Sequence, residues 1–255
     1  MLVLEGDSLS VSFGGVHAVR DVSVQVGEWE VVGIIGPNGA GKTTLFNMLT
    51  GFQRPKAGRV RFAGDDVTDR PVHERAALGM GRTFQNVGLV KAATVLDNVL
   101  TAQHMVAGYG AVAGIVGSSL AFERERHLRD EGLRLLDLLG LLPVADSVAG
   151  RFPYGLRKQV ELATVLATHP QVLLLDEPTS GMGPEEADAF GERLLELRRQ
   201  LGLSVLMIEH HVPLVAAVCD YVYCMNFGEL LVEGKPDAVR THPEVVRAYL
   251  GDEAA

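Results

Sequence analysis

Apolar positions fall into short strand-like runs near both ends of the chain and helix-like stripes in its middle. The first 35 residues read as strands. From His17 to Val26 polarity roughly alternates, the period of a strand with one buried face. Glu30 to Ile35 holds Val31, Val32, Ile34 and Ile35 in a short apolar run, which suits a buried strand. A glycine-rich turn follows, and Lys42 to Thr50 then places Leu45, Phe46 and Leu49 on one helix face. Gly58 to Phe62 reads as a further strand.

The pattern changes after Phe84. Asn86 to Leu166 reads as helices and loops, most clearly at Glu123 to Leu139, where Leu128, Leu135, Leu138 and Leu139 make an apolar stripe. Strand signals resume at Val172 to Leu175. A helix is expected from Glu185 to Leu201, with Phe190, Leu194, Leu197 and Leu201 on its apolar side. Pro184 and two glutamates open it, Arg198 and Arg199 occupy its last turn, and Gly202 follows. Ser204 to Ile208 and Tyr221 to Met225 complete a sheet, and Glu229 to Glu233 pairs with the latter across Phe227-Gly228. Strands interrupted by a helical block predict an α/β core with a helical insertion. No internal repeat is visible.

Composition narrows the functional classes. The 255 residues are 47% hydrophobic and 22% charged, the balance of a compact chain. A formal net charge of −9 disfavours a general nucleic-acid binder, which needs a basic surface to displace counterions from phosphates. Met1 to Glu5 shows no basic stretch leading into a long apolar run, so no secretory signal is expected. Cys219 and Cys224 are too few for a disulfide framework or a four-thiolate zinc site, and a reduced pair is expected. Met105 to Phe122 is free of formal charge for 18 residues, but Gly108, Gly110, Gly114 and Gly117 interrupt it. A loop or glycine-broken helix is expected there rather than a membrane span.

The chemistry begins at Gly36-Pro37-Asn38-Gly39-Ala40-Gly41-Lys42-Thr43-Thr44, a Walker A phosphate loop set between a predicted strand and a predicted helix. Its glycines allow backbone N–H groups to turn toward a β-phosphate, and the helix presents its positive end to the same anion. Lys42 supplies a point charge for the β- and γ-phosphates of ATP, and the Thr43 hydroxyl is a ligand for Mg²⁺. Val172 to Leu175 followed by Asp176-Glu177 places two acids at the carboxyl edge of a parallel sheet. Asp176 is expected to hold Mg²⁺ and Glu177 to act as general base on the attacking water.

With these motifs the chain resembles, over essentially its whole length, the ATP-binding subunits of ATP-binding cassette transporters. That resemblance implies a P-loop NTPase core with an antiparallel β subdomain at 1–85 and 167–235, a helical subdomain at 86–166 and a short helical tail at 236–255. It assigns Phe13 to stacking on adenine, Gln85 to the loop that touches Mg²⁺ and water, and His210 to the γ-phosphate switch. Within the family the stretches Gly39 to Gly51, Gly81 to Val87, Val95 to Val99 and Pro243 to Gly251 are similar to LivG-type ATPases of branched-chain amino acid importers. The implied setting is a cytoplasmic, membrane-peripheral ATPase working with a second cassette ATPase, as a heterodimer or a homodimer. Two permease subunits and an extracytoplasmic binding protein complete that assembly. A lipid or polysaccharide exporter ATPase and a soluble non-transport cassette ATPase are the alternatives.

One motif departs from the family pattern. Phe152-Pro153-Tyr154-Gly155-Leu156 stands where the family carries Leu-Ser-Gly-Gly-Gln or Leu-Ser-Tyr-Gly-Gln. Pro153 removes the serine hydroxyl and an amide donor together, and Leu156 replaces the glutamine. Thr164 stands in place of the usual arginine, and Gly183 in place of the usual Asp or Asn. Two readings follow: one composite ATP site of a cassette dimer is slow, or Gly155 and the helix N-terminus still suffice.

Overall fold

A computed structural model describes residues 1–84, 88–106 and 119–250. These divide into two compact units, one made of Met1–Arg82 with Gln171–Ala255 and one of Thr83–Pro170.

The first unit opens with β1 (Leu2–Phe13) and β2 (Val16–Gly27), a long antiparallel hairpin, followed by β3 (Val31–Ile35) and helix α1 (Lys42–Thr50). Next come β4 (Ala57–Phe62), the two-residue β5 (Asp65–Asp66), α2 (Val72–Ala77) and β6 (Met80–Arg82). β2, β1, β4 and β5 form an antiparallel sheet in that order.

The second unit carries α3 (Val95–Val106), α4 (Ser119–Leu138) and α5 (Tyr154–Leu166). Its core includes Val95, Leu96, Val99, Leu139, Val160, Ala163 and Leu166. The buried stripe of α4 keeps Leu139 of the expected one and departs from it at the other positions. Leu136 and Leu139 are buried, whereas Leu128, Leu135 and Leu138 are half-buried, because the face turned inward is the one that pairs Gly132 with α3. Of the uncharged stretch from Met105 to Phe122, residues 107–118 lie outside the described residues, as does Gln85.

The chain then returns to the first unit through β7 (Val172–Asp176), α6 (Pro184–Leu201), β8 (Ser204–Ile208), α7 (Val212–Val218), β9 (Tyr221–Asn226) and β10 (Glu229–Gly234). Two short helices, α8 (Pro236–Arg240) and α9 (Pro243–Leu250), follow. The second sheet runs β10-β9-β3-β8-β7-β6, parallel throughout except at the β9–β10 hairpin. In α6 the residues Phe190, Leu194 and Leu197 are buried, but Leu201 is 45% exposed, since the helix ends one residue before Gly202 reverses it at φ +64°. The strands β6 and β5 and the helices α2 and α7 were not foreseen; all are seven residues or shorter and too brief to display a period.

One core joins α1 to both sheets, with Phe46, Met48 and Leu49 packed among Leu4, Leu9, Ile34 and Leu206. The C-terminal end of α1 has carbonyls with no further helical N–H to meet them. Buried Arg75 of α2 supplies the donors, with Nη1 bonded to the Met48 and Leu49 carbonyls at 2.9 and 2.7 Å. A guanidinium there also complements the negative end of the helix dipole. The helix is thereby tied at its rear while its front faces the phosphate loop.

Candidate active site

β3, β8 and β7 are adjacent parallel strands, so the segments leaving their carboxyl ends converge on one edge of the sheet. The phosphate loop leaves β3, Glu209 and His210 leave β8, and Asp176 ends β7 with Glu177 just beyond.

The loop from Gly36 to Gly41 has Gly36, Gly39 and Gly41 at positive φ. At Gly41, the residue preceding α1, φ is +98° and a side chain would collide with the Ala18 carbonyl, so only glycine can turn the chain here. Pro37 is half-buried, Asn38 and Gly39 are exposed, and Ala40 is buried, its carbonyl accepting from the Gly228 amide at 3.0 Å. The first-turn amides of α1 have no helical carbonyl to meet, which leaves them for an anion. Lys42 is buried, and its Nζ donates to the Gly36 and Pro37 carbonyls at 2.7 and 2.9 Å. Burial pulls its pKa below the usual lysine value, partly offset by the nearby carboxylates of Glu177 and Asp176. Thr43 is exposed and Thr44 half-buried at the head of the helix.

Asp176 is 5% exposed and meets Arg82 Nη2 at 3.3 Å. Arg82 is fixed in turn by Asn47 and Thr50 of α1 at 2.8 and 2.6 Å, and its guanidinium lies over the Phe46 and Phe52 rings. Glu177 adopts φ +49°, a conformation costing a non-glycine residue about 1–2 kcal/mol. Its N–H donates to the Ile208 carbonyl at 3.0 Å, and its Oε1 lies 2.7 Å from Nε2 of His210. Such strain at a turn that presents a carboxylate is typical of a working site.

Glu209 binds two segments together. Oε1 accepts from the Thr179 amide and hydroxyl at 2.9 and 2.5 Å, and Oε2 accepts from the amides of His210 and His211 at 2.9 and 3.3 Å. The buried carboxylate therefore sets the turn after Glu177 against the loop that carries His210. A cavity of about 320 Å³ opens there, lined by Glu177, Thr179, Met182, Glu209 and His210. A wider depression of about 630 Å³ lies on the antiparallel sheet, but its Arg54–Asp69 and Arg59–Asp66 pairs are mutually satisfied and none of the residues above lines it.

Phe13 ends β1 and is 51% exposed, so it is not the core phenylalanine its residue type alone would suggest. The structure thus brings Lys42, Thr43, Asp176, Glu177 and His210 to one edge. Arg82, Glu209 and Tyr249, whose hydroxyl accepts from the Gly36 amide, escaped the sequence reading. Arg82 and Tyr249 do lie in the stretches that carried the resemblance, and Glu209 directly precedes His210.

Thr43 and Asp176 offer hard oxygen donors, the set that suits Mg²⁺. Among the described residues no group of three or more His, Cys, Asp or Glu is arranged as a metal cage. Mg²⁺ takes one or two protein oxygens and completes its shell with phosphate and water, so the donors present fit it. Also among the described residues, no helix is long and apolar enough to cross a membrane.

Comparison with known proteins accounts for this arrangement. Residues 19–180 match the family described as ABC transporter, and residues 229–255 match the family described as branched-chain amino acid ATP-binding cassette transporter. The chain is 39% identical to the high-affinity branched-chain amino acid transport ATP-binding protein BraF of Pseudomonas aeruginosa, over 98% of each chain. It is 37% identical to the corresponding LivG protein of Escherichia coli, again over 98% of both. A solved structure, the ADP conformation of MJ1267, an ATP-binding cassette of an ABC transporter, superposes with a TM-score of 0.85. It shares 33% identity and is covered completely, as is 99% of this chain. With its phosphate loop, paired acids and sheet order, the chain belongs to the ABC transporter family and is one of its ATP-binding, ATP-hydrolysing subunits.

Proposed function

We propose that this subunit energises a membrane importer of branched-chain or related amino acids. The observation that carries the reading is Glu177, paired with His210 at the edge where Lys42 and Thr43 head α1, in a chain whose tail matches the branched-chain group. That tail match favours the importer over an exporter of lipid or polysaccharide and over a soluble cassette ATPase. The subunit works at the cytoplasmic face of the membrane with two permease subunits, a second cassette ATPase and an extracytoplasmic binding protein.

ATP is held by the glycine loop and Lys42, with Phe13 stacked on the adenine face. Thr43, Asp176 and Gln85 would hold Mg²⁺, which would supply positive charge to neutralise the phosphates. Glu177 takes a proton from water as the water oxygen attacks the γ-phosphorus and the bond to the β–γ bridging oxygen breaks, releasing ADP and phosphate. His210 steadies the same γ-phosphate and, through its 2.7 Å partnership, the Glu177 carboxylate. Electrostatic placement does most of this work, because phosphoryl transfer asks little covalent chemistry of the protein.

Catalysis is unequal between the two composite sites of the assembled dimer. The Walker residues of this chain, closed by the partner's signature, form the fast site; the site closed by Pro153 to Leu156 is slow. A missing charge-assisted hydrogen bond costs on the order of 1.5–3 kcal/mol, about tenfold to a hundredfold in rate. The test is ATPase turnover and leucine uptake in vesicles holding the complete transporter. Glu177→Gln is expected to abolish most of both while Mg·ATP binding persists. If it spares them and the equivalent change in the partner abolishes them, the assignment of sites is reversed.

A further inference from the structure

Gly36 opens the phosphate loop directly after β3. Its φ is +145°, and a Cβ there would run into the Met225 carbonyl, so the loop begins at a position closed to other residues. Lacking a side chain, Gly36 can be gripped only by its peptide groups, and both are held. Its carbonyl accepts from Lys42 Nζ at 2.7 Å, and its N–H donates to the Tyr249 hydroxyl at 2.8 Å.

Tyr249 lies 213 residues away, in the last turn of α9. Val245, four residues earlier on that helix, is buried, and α9 packs on β10 and α8. Burial pushes the Tyr249 hydroxyl up to about 12, so it stays a neutral O–H throughout the physiological range. The residue is 38% exposed, and it is the hydrogen bond to the Gly36 amide that holds its hydroxyl at the loop. The proposed hydrolysis makes no use of this residue.

We infer that Tyr249 is a positioning residue of the nucleotide site: its hydroxyl fixes the Gly36 peptide, so that the glycine loop and Lys42 are set before nucleotide arrives. The C-terminal helix thereby becomes a strut of the phosphate loop rather than a surface appendage. Lys42 must turn from the Gly36 carbonyl toward incoming phosphates, and the Tyr249 bond to the preceding Ile35–Gly36 peptide then anchors the start of the loop. The inference rests on the reading of this loop as the ATP site. A tyrosine that only docks the tail would affect stability and leave nucleotide affinity alone.

Tyr249→Phe separates these roles, because it removes one oxygen and keeps the ring, while Val245 still buries α9. On the full chain, hydrogen exchange at the Gly36 amide without nucleotide is expected to accelerate about tenfold or more. The Mg·ATP dissociation constant, measured by calorimetry, is expected to rise about fivefold to tenfold, the loss of one satisfied buried amide. In the assembled transporter KM for ATP rises with kcat nearly unchanged, because the lost interaction serves ground state and transition state alike. Unchanged exchange and unchanged affinity in the variant would overturn the inference, as would a lower melting temperature with unchanged affinity. Wild-type protein that binds no Mg·ATP would instead sink the reading of the loop, while exchange at Gly36 would still report whether Tyr249 holds it.

Discussion

Helices α1 and α5 both begin without a side-chain cap, and they do so in opposite ways. α1 is preceded by Gly41 at φ +98°, which leaves backbone amides free to face an anion. α5 is preceded by Pro153 at φ −55° and ψ 159°, a residue with neither amide nor hydroxyl. Each helix also buries an ionisable group. Lys42 rests on two loop carbonyls, a lodging it can exchange for phosphates. Glu161 of α5 accepts from the Phe84 and Gly88 amides at 3.2 and 3.3 Å, which gives the carboxylate two partners within its own unit. The first helix end is built to receive a ligand. The second has no donor on the residue at its tip, and its carboxyl group is bound by amides of its own unit.

The largest break in this comparison comes at α1. Lys42→Ala deletes the cation and is expected to weaken Mg·ATP binding by about a hundredfold or more, through loss of charge-assisted hydrogen bonds. Calorimetry on the full chain checks it, and the melting temperature should hold or rise, since a buried charge is removed.

A smaller change is expected from converting the tip of α5 toward that of α1. Pro153→Ser with Leu156→Gln restores a hydroxyl cap, an amide donor and the glutamine. Stability should move by less than about 1 kcal/mol, because a better cap is offset by the loss of the proline constraint on the unfolded chain. Turnover of the complete transporter carrying Glu177→Gln in this chain isolates the mirror site, and there the double variant should be faster by about tenfold. An unchanged rate would mean that Gly155 and the remaining amides already suffice.

The smallest effect separates the two buried charges by pH. Burial raises the pKa of Glu161 above the ordinary glutamate value, ahead of the lowering by its two amide partners and Lys158. A raised folded-state pKa means that its favourable contribution is complete below the unfolded value and is lost as pH climbs through the folded one. Glu161→Gln keeps an oxygen for both amides and cannot ionise. Its melting temperature should therefore match the parent at acid pH and exceed it by about 2–4 °C at neutral pH. Thermal melts across that range decide the sign.

The sequence reading was strongest where function lies in consecutive residues. Gly36 to Thr44 must turn a strand into a helix around an anion, and the glycines that permit this are adjacent in the chain. The apolar run Val172 to Leu175 ending in Asp176 and Glu177 placed an acid pair at a strand end for the same reason. Period-based readings were good to within a residue, as the shift from Leu135 to Leu136 in α4 shows, since a 3.6-residue repeat does not state which edge of the stripe faces inward.

Most of the strands along the chain and the glycine turn of the phosphate loop were thus legible in local sequence. What only the folded chain decided are the partnerships between distant residues: Arg82 with Asp176, Glu209 with Thr179, Arg75 with the end of α1, and Tyr249 with Gly36. Backbone conformation and periodicity are properties of neighbouring residues, so they can be read along the chain. A hydrogen bond across 213 residues depends on which sheet edge and which helix turn meet in space, and no repeat in the sequence records that.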